Sequence, residues 1–223
     1  AERRLHLLTN QDRAEPHAFP GWHTTAADPE PRPPLALHPG LSAAARFHAE
    51  DTAQAGCFQH SSCDGTPTAD RIARFFTGPA GENIAKGQRS PAAVMVAWMN
   101  SDGHRANILR PQWNALGAGV APGDHWVQNF GAARGLEAPP IVAGAAFSEA
   151  GGVRLAAHAF DPAGRPPARF EARLDGAAVP LTPAFGRPGH RTWEARAPAP
   201  TACADLAFFL EDAAGAVHRF PTT

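Results

Sequence analysis

The sequence has 223 residues, 43% of them hydrophobic and 18% charged, with a formal net charge of −1. That composition describes a folded globular protein of one large or two modest domains and excludes a disordered chain. The 20 Lys and Arg are scattered among 21 Asp and Glu, which leaves no electrostatic footprint for a nucleic acid or an anionic membrane, and no stretch approaches the roughly 18 apolar residues of a membrane-spanning helix.

The elements follow in chain order. Residues 2–14 read as a helix whose face is suggested by Leu5, Leu8 and, more loosely, Arg4 and Gln11, with Leu7 poorly placed. The opening Ala1-Glu2-Arg3-Arg4 suits a mature N-terminus left by signal-peptide cleavage, and equally a trimmed chain. Residues 16–39 carry seven prolines and sustain no regular structure for long. Residues 41–55 form a helix with Leu41, Ala44, Ala45, His48, Thr52 and Ala55 on one stripe and Gly56 as its stop. A short helix is expected over Ala69–Phe76, with Ile72, Phe75 and Phe76 inward. Another spans 91–100, with Ser90 as N-cap and Pro91 in its first turn, packed through Val94, Ala97 and Trp98. LGAGV (116–120) and HWVQNF (125–130) read as two strands joined by Pro122-Gly123-Asp124.

After Gly131 the texture changes. Short period-two runs (VRLAAHAF, ARFEARLDG, TWEARA, LAFFLEDAAG and AVHRF) are separated by turn signals about every ten residues, the rhythm of an antiparallel β-sandwich or half-sandwich. The change places a linker at about residues 132–140 and divides the chain into a first domain over 1–135 and a β-rich, immunoglobulin-like domain over 136–223. Cys57 and Cys63 bracket a seven-residue segment, CFQHSSC, read as a disulfide-closed loop of a secreted or periplasmic protein. Two free thiols, or half of a metal site, are the alternatives. Cys203, in the apolar run CADLAFFL, is expected to be a buried free thiol.

Four segments occur in a fixed order: FQHSS (58–62), GENIAKG (81–87), VAWMNSDGHRANIL (96–109) and WVQNFG (126–131). Together they resemble the bacterial branch of the CAP superfamily, the cysteine-rich secretory and pathogenesis-related proteins, over residues 2–131. The resemblance implies an α+β fold: an α-β-α sandwich of CAP type, followed here by the small antiparallel β-sandwich. It also implies a cleft in which His60, Glu82 and His104 face one another. Two imidazoles and a carboxylate suit zinc or another divalent cation, here at partial occupancy, with a fourth position open to water. Without metal, the same trio is a proton-transfer set and the candidate catalytic group. Asn83, Ser101 and Gln128 are the candidate ligand-binding residues. Ser101 stands three residues after Trp98, where fuller family members carry a second glutamate, so the cluster loses a carboxylate.

Plainer roles stand beside these. His60 could serve only to hydrogen-bond backbone within its loop, and Glu82 could cap a helix or tie a loop down. His104 could close a polar turn with Arg105 and Asn107. Trp98, Trp113 and Trp126 are read as core, and His125 as a solvated strand residue. There is no Gly-x-Ser-x-Gly elbow, phosphate loop, His-Glu-x-x-His or dinucleotide fingerprint. The leading expectation is a secreted or periplasmic module binding a small lipid-like, peptide or cell-envelope ligand. A metal-assisted or His/Glu-dependent hydrolase and a purely structural or adhesion module are the alternatives.

Overall fold

A computed structural model describes residues 1–16 and 30–221. Most of the Pro-rich segment, residues 17–29, lies outside the described residues. The chain divides into two compact units, Ala1–Glu137 and Ala138–Thr223. No described helix is long and apolar enough to cross a membrane.

The first unit is an α-β-α sandwich. Its helices are α1 (Glu2–Ala14), α2 (Pro39–Ala55), α3 (Thr68–Ala73), α4 (Pro91–Met99) and α5 (Asp102–Ile108). Its strands are β1 (Ala36–Leu37), β2 (Ala80–Lys86), β3 (Ala115–Ala121) and β4 (His125–Gly131), in the order β1-β3-β4-β2, which leaves β2 at an edge. Helix α2 covers one face of the sheet, while α1 and α4 cover the other. The core alternates accordingly. Trp126 and Phe130 of β4 join Leu5, Met95, Trp98 and Trp113 on the α1/α4 face, whereas Val127 of β4 and Ile84 of β2 join Ala45 and Ala49 on the α2 face.

The local chemistry explains the ends of these elements. Ser90 accepts a hydrogen bond from the Ala93 N–H at 3.1 Å, ahead of Pro91. Gly56 closes α2 in the left-handed region at φ 70°. Glycine alternates along β3 for a packing reason: a Cβ on Gly117 or Gly119 would lie 2.1–2.5 Å from the α2 backbone at Leu41–Ser42 or Ala45–Arg46. The helix therefore rests directly on the sheet.

Helix α1 departs from the apolar stripe expected of it. Leu7 is fully buried and Leu8 only partly, and His6, Thr9, Asn10, Asp12 and Arg13 are buried as well. Hydrogen bonds compensate for all but Asp12, whose Oδ2 meets no partner among the described residues. His6 and Asn10 both bind the Leu35 carbonyl, and Arg13 donates to the carbonyls of Pro33, Ile108, Arg110 and Trp113. The helix expected over Ala69–Phe76 ends at Ala73, so Phe75 and Phe76 follow it. Cys203 is exposed, not buried, because it precedes the strand that begins at Leu206.

The second unit is an antiparallel β-sandwich of eight strands. These are β5 (Ile141–Glu149), β6 (Gly152–Phe160), β7 (Arg169–Leu174), β8 (Ala177–Pro180), β9 (Thr182–Arg187), β10 (His190–Ala197), β11 (Leu206–Glu211) and β12 (Val217–Phe220). They form two sheets, β5-β6-β10-β9 and β12-β11-β7-β8. One core joins them, with Ile141, Leu155 and Ala157 from the first sheet against Phe170, Ala172, Phe208 and Leu210 from the second.

Candidate functional site

The edge strand β2 builds the site, because consecutive residues on a strand point to opposite faces. Glu82 shares a face with Ile84 and meets α2 and α3; Asn83 shares a face with Ala85 and meets α5. Glu82 pairs with Asn129, and Asn83 with Gln128, across the β2–β4 ladder.

On the Glu82 side the chemistry is ionic. Glu82 is 7% exposed, and Arg71 of α3 is fully buried beside it. Arg71 Nη1 and Nη2 donate to Glu82 Oε2 at 3.1 and 2.7 Å, and Nη2 also donates to the His60 carbonyl at 2.9 Å. His60 Nδ1 lies 3.0 Å from Glu82 Oε1, while His48 Nε2, fully buried on α2, lies 3.9 Å from the same oxygen. With its amide oriented to suit both neighbours, Asn129 donates to Glu82 Oε2 at 3.0 Å. A buried carboxylate costs several kcal/mol unless it is paired and fully hydrogen-bonded, and here both oxygens are engaged.

The loop that carries His60 is fixed from several sides. Cys57 and Cys63 are disulfide-bonded with Cα atoms 5.9 Å apart, which settles their pairing. Thr68 Oγ1 donates to the His60 carbonyl at 2.7 Å, His48 Nε2 lies 3.0 Å from the Gln59 carbonyl, and the Cys63 N–H donates to Asp51 Oδ2 at 2.8 Å. The His60 ring thus pairs with the Glu82 side chain and not with loop backbone, and it remains 56% exposed.

On the Asn83 side the chemistry is neutral. His104, the third residue of α5, has its Nδ1 2.8 Å from Ser101 Oγ. Asn83 donates to the His104 carbonyl at 3.1 Å and to Gln128 Oε1 at 3.2 Å, and Gln128 donates to Thr9 Oγ1 at 2.8 Å. Asn107 donates to the Glu82 carbonyl and to Asn83 Oδ1, which links the two faces through backbone and amide. Asn83 and Gln128 are fully buried. Asn83 braces α5 and Gln128 braces α1 against the sheet, and neither presents surface to a ligand, whereas Ser101 is partly exposed.

The two histidines are displaced in opposite directions. The hydrogen bond to Glu82 raises the His60 pKa above its ordinary 6.5, against a smaller opposing effect of burial. Burial lowers that of His104, and the positive charge on His60 lowers it further. The hydroxyl of Ser101, 2.8 Å from His104 Nδ1, supplies no charge that would favour the imidazolium. Burial also lowers His48, with Glu82 opposing.

The three residues expected to hold a metal do not fit a three-ligand site as built. Arg71 already occupies one face of the Glu82 carboxylate with a fixed positive charge, and His60 takes the other oxygen. Among the described residues, the one group of three or more His, Cys, Asp or Glu donors that all lie within 4.8 Å of one another is Asp51, Cys57 and Cys63, two of which form the disulfide. His60, Glu82 and His104 are not such a group.

Glu82 is a strand residue and caps no helix. His125 is buried, not solvated: its Nδ1 lies 2.9 Å from Thr52 Oγ1, because β4 is covered along its whole length. Trp98, Trp113 and Trp126 are core residues. Sequence reasoning assigned no role to Arg71, placed Asn107 only in a polar turn with His104, and placed His48 only in a packing stripe. A lone arginine in a six-residue helix carries no signal until the strand opposite it is known.

The family model described as CAP, cysteine-rich secretory protein family, matches residues 8–130, more than half of the chain. The uncharacterized protein YkwD of Bacillus subtilis (strain 168) is 42% identical over 100 residues, covering 44% of this chain and 39% of that protein. The uncharacterized membrane protein YlbC of the same strain is 34% identical over 85 residues, covering 37% and 24%. The match thus spans well under half the length of either relative. A crystal structure of an extracellular SCP-domain protein from Bacillus anthracis (strain Ames) superposes with a TM-score of 0.43 at 35% identity, covering 45% of this chain and 34% of that one. The ordered motifs, the α-β-α sandwich and the family match lead to one assignment: the chain belongs to the cysteine-rich secretory protein (CAP) family.

Proposed function

We propose that this chain is a secreted or periplasmic CAP-domain module whose cleft binds a small lipid-like, peptide or cell-envelope ligand through His60, Ser101 and His104. One observation carries this reading: Glu82 is held on both oxygens by Arg71 and His60, so it orients the cleft and does not face a ligand. The groups left accessible are a half-exposed imidazole that favours its cationic form, a second imidazole that favours its neutral form, and a hydroxyl. Such a set suits a ligand with a carboxylate, phosphate or carbonyl at its head. Heteronuclear NMR of the ring resonances, with added muropeptide, acidic peptide or lysophospholipid, tests it. Saturable shifts at His60 and His104 with one of the three support the reading, and unmoved rings with all three sink it.

The opposite displacement of the two imidazoles favours a hydrolase as the second reading. At a pH between the two midpoints, a His60 that keeps its proton would act as the acid and a His104 that has lost its own as the base. Peptide or envelope-polymer cleavage with a bell-shaped pH profile, abolished by His104→Ala, is its signature. Flat profiles, or activity retained in that variant, remove it. Glu82, held on both oxygens, is not free to supply a metal ligand to this reaction.

The two units are further proposed to fold independently as domains, with the junction in about residues 132–140. Compact packing of each unit around its own core supports this. Limited proteolysis that leaves two folded fragments is the expected outcome, and a fully protected junction contradicts it.

A further inference from the structure

We propose that Asp51, Cys57 and Cys63 become a binding site for zinc, or a similarly thiophilic divalent cation, when the Cys57–Cys63 bond is reduced. The proposal is independent of the ligand reading of the cleft. Its basis is the placement of three donors. Asp51 stands on α2, a 17-residue helix resting directly on the sheet, so the backbone that carries its carboxylate belongs to the scaffold and not to the loop. The Asp51 carboxylate and the two sulfurs lie within 4.8 Å of one another. At zinc–sulfur bonds of about 2.3 Å, a tetrahedral ion holds two thiolates about 3.8 Å apart, with a carboxylate oxygen at roughly 2.1 Å and a water in the fourth position. Once the bond is opened the sulfurs must swing apart to that separation, which Cα atoms 5.9 Å apart permit while both stay beside the Asp51 carboxylate.

The loop does not depend on the disulfide for its path. Its turns are pinned by His48 on the Gln59 carbonyl, by Thr68 and Arg71 on the His60 carbonyl, and by Gln59 Nε2 on the Ser62 carbonyl at 3.2 Å. The Ser62 N–H donates to the Thr66 carbonyl at 2.9 Å, and the Cys63 N–H is bound to Asp51 itself. Opening the bond between the sulfurs leaves both cysteines beside Asp51. The charge is suitable too, since two thiolates and a carboxylate surround a divalent ion and both cysteines are only partly exposed.

The chemistry balances with a named reductant. A dithiol exchanges with the bond, is itself oxidised to a disulfide, and leaves two thiols on the protein; a trialkylphosphine does the same by taking an oxygen from water to give the phosphine oxide. The cation then displaces both thiol protons. Because the sulfurs cannot be joined to each other and to zinc at once, disulfide and metal are exclusive states of one loop. Metal loading protects the thiols from re-oxidation, and oxidation expels the metal.

The test uses the full chain with Cys203→Ser, since Cys203 is an exposed thiol. Protein reduced with phosphine and desalted anaerobically is titrated with cobalt(II), then zinc. Thiolate ligation gives a sulfur-to-cobalt charge-transfer band that histidine ligation lacks. The expected result is a 1:1 band in reduced protein, bleached by zinc and missing in oxidised protein. Cys57→Ser should remove the band. Asp51→Asn should weaken cobalt binding by at least the roughly tenfold that loss of an outer-sphere partner costs, with circular dichroism to confirm its fold. A reduced protein without the band overturns the proposal, as does an equal band in oxidised protein or undiminished affinity in folded Asp51→Asn.

Discussion

On one side of β2, Glu82 is a buried charge met by a buried guanidinium and two imidazoles; on the other, one residue along, Asn83 is a buried amide in a chain of neutral amides and hydroxyls running to Thr9. The same strand thus supports an ionic side, which holds His60, and a neutral side, which holds His104. The ionic half costs more to disrupt, because removing one partner strands a charge, whereas removing a neutral partner strands only a dipole. The two histidines inherit this difference as opposite pKa displacements.

The largest effect expected is at Arg71. Arg71→Ala should cost about 3–5 kcal/mol in denaturant unfolding, the usual penalty for leaving a buried charge unpaired. Adding Glu82→Gln should recover part of that loss, because the stranded charge is gone. A loss below about 1 kcal/mol, or no recovery, would mean that the ion pair does not organise this half.

Acid should strike the neutral side next. His6, on α1, is pushed by burial to about 4. A histidine lowered in the folded state binds its proton more readily when unfolded, so stability is lost as pH falls from about 6.5 to 4, by about 3 kcal/mol for that shift. His104 and His48 act in the same direction. His60 acts in the opposite one: its bond to Glu82 contributes fully below the unfolded pKa of about 6.5 and is lost as pH rises through its higher folded value. With more than half its side chain exposed, that contribution is under about 1 kcal/mol. His6→Gln should flatten the acid limb of a stability–pH curve; an unchanged limb counts against the assignment.

Opening the ring around His60 ranks third. Cys57→Ser should cost about 2 kcal/mol by loop-closure entropy over seven residues. It should leave the His60 ring near Glu82, since the hydrogen bonds from His48, Thr68 and Arg71 still pin the loop. A smaller effect is expected from Ser101→Glu: with a carboxylate beside His104, that pKa should rise toward the pKa of His60, which erases the contrast between the halves. A ring titration that does not move would show that the hydroxyl is not its cause.

Much of this was legible in the sequence, and the exceptions have physical reasons. Ser90-Pro91, Gly56 and Pro122-Gly123-Asp124 announced their helix and hairpin ends because each acts through local backbone chemistry. His60, Glu82 and His104 came from ordered motifs. Arg71 did not, because its role exists only once α3 lies over the edge strand. Helix α1 misled because its buried face is partly polar, with His6, Asn10 and Arg13 matched to distant carbonyls that no periodicity reveals. Strand β5 was missed because IVAGAAFSE is rich in small residues and lacks clear alternation, its first five residues being buried. His125 misled for a related reason: a strand covered on both faces does not mark its inward side chains by alternation.

The central claim is that one strand holds the two histidines in opposite protonation preferences, and ring-proton NMR titration of His60 and His104 tests it most directly. The account predicts a midpoint above 6.5 for His60 and below it for His104, with Glu82→Gln bringing His60 down. Coincident midpoints, a reversed order, or a His60 midpoint unmoved by Glu82→Gln would contradict it.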